Sequence, residues 1–244
     1  MTPTKPFEGK LALVTGASRG IGAATAEALA AAGAHVILTA RTVKSLEEVE
    51  ERIHDAGGNA TIAPLDLSQR DGIPKLAEAV AGRWGSLDVL VLNAAMLGSL
   101  APVEHLDANE FEKVIALNLL APQALIAAFD PLLRRAERAD VIGITSSVGA
   151  SPRAFWGGYG ASKAALDTLL LAYADETAHA GKLRVQIVDP GATRTRLRAL
   201  AFPGEEADAL KSPEVVAAAI MAALTGNMAT GSRVRVGQDS PQDA

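Results

Sequence analysis

Apolar runs of strand length alternate with helix-length segments from residue 10 to residue 237. KLALVT (10–15), HVILTA (35–40), NATIAPLD, LDVLVLN, ADVIGITS and LRVQIVDPG read as six strands, and SRVRVG (232–237) as a seventh. GIGAATAEALAAAG (20–33) reads as an Ala-rich helix ending at Gly33. VKSLEEVEERIHDAGG reads as a charged helix whose EEVEER run is a solvated face. Continuous apolar strands separated by helices call for a parallel sheet covered on both faces. The expected fold is therefore α/β, a doubly wound parallel sheet of about seven strands. No linker-like boundary or fixed repeat interrupts it, so residues 1–244 are expected to form a single domain.

Composition narrows the function. The 244 residues are 49% apolar and 21% charged, the balance of a soluble globular chain. A net charge of −5 argues against non-specific nucleic-acid binding, which needs a basic face. With no cysteine, neither disulfides nor thiolate metal sites are available. The four histidines, His35, His54, His105 and His179, show no ligand spacing, so no metal is expected. MTPTKPFEGK lacks the apolar core of a secretory signal, and VLVLNAAML falls short of the roughly 20 residues of a membrane helix. These features predict a cytoplasmic enzyme with no membrane partner, and polar tails, about 1–8 and 238–244, that are loose.

Between the first strand and the first helix lies TGASRGIG (15–22). Gly16, Gly20 and Gly22 permit a tight turn, close backbone approach to a ligand and close helix packing. The helix N-terminus then offers free N–H groups and partial positive charge to a pyrophosphate.

YGASK (159–163) places Tyr159 and Lys163 at i and i+4, on one face of a helix. On its own, such a pair is more often a surface feature. As an acid/base pair, a lysine charge about 4 Å away, at an effective dielectric of about 20, supplies roughly 4 kcal/mol. That would draw a phenol from about pKa 10 towards neutrality.

The spacing Gly-x-x-x-Gly-x-Gly, the YGASK pair and further motifs resemble the short-chain dehydrogenase/reductase family, over residues 10 to 196. Asp66 in PLDLS, Asn93 in LNAAM, Asn118 in IALNLL, Ser146 in ITSS and PGATRT (190–195) stand where that family has its functional segments. Leu92 and Ala95 depart from the family's Asn-Asn-Ala-Gly signature. The resemblance implies a Rossmann-type NAD(P)-binding oxidoreductase, closest to ketoacyl and carbonyl reductases, in which the cofactor carries hydride to or from a small-molecule carbonyl/alcohol substrate. Tyr159 would be the acid/base and Ser146, 13 residues earlier, would steady the substrate oxygen. Lys163 would hold the nicotinamide ribose and lower the tyrosine pKa, and Asn118 would hold a water that resupplies protons. Ser147 is the competitor of Ser146, one residue too close to Tyr159 by family spacing.

The cofactor would touch Gly16, Ser18, Arg19, Gly20, Ile21, Gly22, Arg41, Asp66, Leu67, Asn93, Ala94, Tyr159, Lys163, Pro190, Gly191, Thr193 and Thr195. Asp66 would face the adenine edge and Thr195 the nicotinamide carboxamide. At the end of the second strand, Ala40 replaces the acidic residue that would receive a ribose 2′-hydroxyl, and Arg41 and Arg19 stand nearby. Two guanidinium groups suit a 2′-phosphate, so NADP(H) is expected over NAD(H).

RLRALAFPGEEADALKSP (196–213) breaks the alternation after a strand end. It reads either as a substrate loop over the crevice or as a variable surface connection. Phe155 and Trp156 fit either an apolar pocket or a subunit contact, and family analogy puts Met96, Leu97 and Leu197 near the crevice. The long apolar segment 107–133 suits the helix the family pairs across a two-fold axis, implying a homodimer or homotetramer. The other readings are a dehydratase or isomerase using the same site, and a regulatory protein that binds NADP(H) without turnover.

Overall fold

A computed structural model describes residues 5–179 and 181–237. Seven parallel strands form one sheet in the order β3-β2-β1-β4-β5-β6-β7. They are β1 (Leu11–Thr15), β2 (His35–Thr39), β3 (Asn59–Ile62), β4 (Val89–Leu92), β5 (Ala139–Ile144), β6 (Leu183–Asp189) and β7 (Arg233–Arg235). The expected fold class is therefore the observed one. β3 ends earlier than NATIAPLD suggested, and its PLD portion is a loop leading to Asp66.

Each central strand is apolar on both faces, as the continuous runs required. Leu11 and Leu13 of β1 enter one core while Ala12 and Val14 enter the other. The first core is covered by α3 (Gly72–Arg83), α5 (Ala121–Leu133) and α7 (Gly157–Ala178). The second is covered by α1 (Gly20–Ala31), α2 (Val43–Asp55) and α9 (Pro213–Thr225). Side chains alternate across a strand, so a run without polar residues can only sit between two covers. At Gly143 of β5 the cover comes so close that a Cβ would meet Leu170 of α7.

The segment 107–133 is a long helix with an interruption. Asp107 caps α4 (Ala108–Ile115) by accepting from the Glu110 N–H, a widened π turn follows at Ala116–Leu120, and α5 continues. By length and apolarity Ala108–Leu133 could cross a bilayer, more than the sequence reading allowed. Here Leu125, Phe129, Leu132 and Leu133 bury one side of it in the sheet core.

Of the expected loose tails, 1–8 and 238–244, the described part of the first is held in place. Phe7 is buried and its N–H bonds Ala32 O at 3.0 Å, tying residues 5–8 to the end of α1. Residues 1–4 and 238–244 lie outside the described part. At the other end, Arg194 N bonds Lys211 O at 2.9 Å and closes the base of the 194–211 segment. Within it lie α8 (Arg196–Ala201) and a short 3-10 turn at Ala207–Ala209.

Candidate active site

Strand order reverses beside β1, so β2 and β4 flank it and a crevice opens above their carboxyl ends. A cleft of about 620 Å³ occupies that position.

The glycine loop forms its floor. Gly16 and Gly20 have φ of 65° and 55°, in the left-handed region that a side chain would resist. A Cβ on Gly22 would lie 2.3 Å from Gly16 O and 2.5 Å from Asn93 Nδ2, so the helix can approach the loop only without one. The first hydrogen bond of the helix start is Ala23 N to Arg19 O, leaving the N–H groups of Gly20 to Gly22 ahead of it. Thr15 and Asn93 fix this loop to β4. The Thr15 hydroxyl donates to Val91 O at 3.0 Å and accepts from the N–H groups of Asn93 and Ala94. Asn93 Nδ2 donates to Thr15 O at 2.8 Å. Leu92, where the family signature has its first asparagine, is buried and pairs with Gly143 in the β4–β5 ladder.

Of the residues expected at the cofactor, all line the cleft except Gly22, which packs behind its wall. Arg19 and Arg41 are exposed, and neither forms an ion pair among the described residues. Asp66 Oδ1 accepts from both the hydroxyl and the N–H of Ser68, at 2.7 and 3.0 Å. The Ser68 hydroxyl bond, more than the nearby Arg41, holds this carboxyl below the usual carboxylate range. Gly191 N donates to Asp189 Oδ1 at 3.1 Å, and the Thr193 hydroxyl donates to Pro190 O at 3.0 Å. Thr195 accepts from Arg198 N and so caps α8.

Across the cleft stand Ser146, at the end of β5, and Tyr159 and Lys163 of α7. Tyr159 is 7% exposed, and the hydrogen bond found at it among the described residues uses its backbone carbonyl, not its hydroxyl. Ser146 and Ser147 both line the cleft, where alternation along a strand had suggested opposite sides. The strand ends at Ile144, and the chain turns into α6 (Ser147–Ala150), so period-two alternation no longer applies.

One electrostatic expectation is corrected. Lys163 Nζ donates to Ile144 O at 2.8 Å and lies 5.7 Å from the Tyr159 ring centre. Burial, and secondarily the Asp189 carboxylate, push the Tyr159 phenol well above its ordinary range rather than towards neutrality. Desolvation acts on both partners and opposes the charged form of each. Asn118, expected beside a water, makes a set of structural bonds. Its side chain lies behind the wall of the cleft, accepting from Met96 N and donating to Met96 O and to Ser162 Oγ, with each distance between 2.9 and 3.0 Å. The Ser162 hydroxyl in turn donates to Tyr159 O at 2.7 Å. Asn118 thus joins the β4 loop to the start of α7 through both ends of its side-chain amide.

Burial pushes Lys163 from 10.5 down to about 8, against the opposing pull of Asp167. Between those values the unfolded chain binds a proton that the folded protein has released. Stability therefore rises with pH from about 8 to 10.5, and the cost of burying the cation is greatest below 8. Lys163→Met should be more stable than the parent at neutral pH, by on the order of 1–3 kcal/mol, while losing activity. Urea midpoints across pH measure this, and an unchanged midpoint at neutral pH would contradict it.

Sequence reading passed over several residues that the fold brings in. Thr15 and Ser162 were hidden because a hydroxyl shows no preferred partner in a sequence. Asp189, directly before Pro190, is buried beside the cleft with its Oδ2 3.5 Å from Arg235 of β7. Asp167, one turn beyond Lys163, pairs with Arg233 at 2.6 Å.

Sheet order and the glycine turn at the end of β1 together define a Rossmann-type α/β protein. A family model described as short chain dehydrogenase matches residues 10–206. The chain belongs to the short-chain dehydrogenase/reductase family and is an oxidoreductase of that family. It is 36% identical over 207 residues to the uncharacterized oxidoreductase YciK of Escherichia coli K12, covering 84% of this chain and 81% of that one. Several other curated relatives are longer, and the chain spans about half of their length. Among solved structures, a short chain dehydrogenase from Pseudomonas syringae superposes with a TM-score of 0.91 at 37% identity, over 96% of this chain and 97% of that one. Another, from Escherichia coli CFT073 in complex with NADPH, gives 0.90 at 33% identity, over 95% and 98%.

Proposed function

We propose that the protein is an NADP(H)-dependent oxidoreductase acting on a carbonyl/alcohol pair, with Tyr159 as its acid/base. The observation that carries this reading is the shared cleft, which Tyr159 and Ser146 line together with the glycine loop.

The cradle fits a dinucleotide on its own geometry, since a Cβ at Gly16 would come within 2.9 Å of Asn93 Nδ2 and fill the space beside the loop. Gly20 to Gly22 offer N–H groups to a pyrophosphate, and Arg19 and Arg41 offer charge to a 2′-phosphate. When bound, the nicotinamide supplies or receives hydride. The protein's part is proton transfer and orientation. Tyr159, held protonated by burial, donates its phenolic proton to the substrate oxygen in reduction, and Ser146 Oγ hydrogen-bonds the same oxygen as negative charge builds. Lys163, which lines the same cleft, would hold the nicotinamide ribose when the cofactor is bound.

The test is loss of NADPH absorbance against a panel of ketones, aldehydes and quinones. Tight NADPH binding with no turnover of any of them would overturn the enzymatic reading. Ser146→Ala should lower kcat by about 10²–10³-fold and Ser147→Ala by far less. The reverse order would reassign the oxygen-steadying role to Ser147. Replacing Arg19 and Arg41 together by alanine should weaken NADPH binding by roughly 10–100-fold and leave NADH binding unchanged. Equal losses for both nucleotides would remove the argument for the 2′-phosphate.

A further inference from the structure

The cleft is polar at the glycine loop and apolar at the other end. Leu97, Val148 and Tyr159 form a buried cluster there, against which Leu100, Trp156, Leu197 and Ala201 pack. A row of contacts runs through this end from the rim to the catalytic phenol. Glu205 holds Arg198 through two hydrogen bonds of 2.6 Å. The Arg198 guanidinium lies over the Phe202 ring, 3.9 Å from its centre. Phe202 meets Trp156 at 5.6 Å between ring centres, and Trp156 meets Tyr159 edge-on at 6.1 Å. Trp156 and Phe202 both face the cleft. A helix as short as α8 has little stability of its own, so this row is what sets it beside the cleft. Of the charged groups on this side, Arg198 is held by Glu205 and Glu110 accepts from the Ser99 N–H at 3.0 Å, while Arg153 and Arg196 also line the cleft.

We propose that Trp156 and Phe202 are specificity-determining residues that select carbonyl or alcohol substrates with an aromatic or comparably bulky apolar group beside the reacting carbon. The inference rests on the carbonyl/alcohol reading of the site. Apolar surface placed against the two rings leaves water, and an aromatic group gains further from stacked or edge-on contact. A charged group placed there loses its hydration to an indole and a phenyl ring that cannot replace it. Because Arg198 is pinned over Phe202, the wall is set before the substrate arrives and needs little ordering on binding.

The experiment compares a phenyl ketone with a short-chain aliphatic ketone as substrates of the NADPH-loaded protein. Calorimetric binding of the phenyl ketone to the same complex is measured in parallel. The parent should favour the phenyl ketone by about 10–100-fold in kcat/KM. Trp156→Ala and Phe202→Ala should each reduce that preference by about tenfold, chiefly through KM for the phenyl ketone. Phe202 touches Trp156 but makes no ring contact with Tyr159, so its variant separates the wall from the phenol. A merely structural role would lower both substrates by one factor and leave their ratio unchanged, which would overturn the proposal. So would a parent that turns over the aliphatic ketone as well as the phenyl one. Binding of the phenyl ketone, weakened in both variants and without turnover, would uphold the apolar wall while sinking the reductase reading. Neither binding nor turnover of the phenyl ketone overturns the wall.

Discussion

Tyr159→Phe should lower kcat for carbonyl reduction by about 10²–10⁴-fold while leaving the fold and NADPH affinity intact. The hydrogen bond found at Tyr159 among the described residues is to its backbone carbonyl, so removing the hydroxyl does not orphan that partner. The ring stays in the cluster with Leu97 and Val148 and against Trp156. Ser162 still bonds the backbone carbonyl of residue 159. The deficit therefore belongs to proton transfer alone. Its pH profile is the diagnostic. Burial raises the phenol, so the parent keeps its proton donor through the neutral range and into mild alkali. The residual activity of the variant should lose any alkaline limb due to that group. Steady-state kinetics across pH, with thermal melts alongside, measure both parts. A variant retaining more than a tenth of parental kcat would remove Tyr159 from the chemistry.

The second large effect is on stability and lies at the opposite end of the sheet. Arg184→Ala should destabilise the protein by about 3–5 kcal/mol. Arg184 Nε donates to Asp140 Oδ1 at 2.7 Å, Nη1 to Gly226 O at 2.7 Å and Nη2 to Leu224 O at 2.9 Å. One side chain thus joins β5, β6 and the last turn of α9. Without it, Asp140 keeps only Arg138, at 3.6 Å, and remains almost fully buried. Burial already pushes this carboxyl up more strongly than Arg184 and Arg138 pull it down. Losing Arg184 raises it further, so the folded variant binds a proton that the unfolded chain does not. The variant's deficit should then be largest at neutral pH and shrink as the carboxyl protonates on acidification. Replacing both partners, Asp140→Leu with Arg184→Met, should cost less than Arg184→Ala alone, because no charge is left stranded. Denaturant titrations of the three variants test the order. A double variant as unstable as the single one would place the cost in the lost α9 contacts.

Much of the site was legible because local rules write it. Gly16 and Gly22 answer to one turn and one helix–loop contact, and the separation of Tyr159 from Lys163 answers to helical pitch. Arg41 and Ala40 follow directly from where β2 ends. The Ser146/Ser147 choice was not legible, because it depends on whether the strand continues past Ile144, and there the chain turns. The hydrogen bonds of Asn118 were not legible for a related reason. Helix position predicts the face of a residue, whereas its three partners come from Met96 and Ser162, which are distant in sequence.

By itself the sequence determined the alternating architecture, since apolar runs that fill both faces of a strand can be satisfied only between two layers of helix. It also determined the phosphate-type cradle and the pairing of Tyr159 with Lys163, which are matters of spacing along one chain. The tertiary structure alone decided which way Lys163 points and whether the phenol is acidified, because Ile144 O, Asp189 and desolvation act through space. It alone assembled the row from Glu205 to Tyr159, which joins residues 156, 159, 198, 202 and 205. Spacing along a chain can place two groups on one face, but the dielectric around them and the direction of their contacts belong to neighbours that only folding supplies.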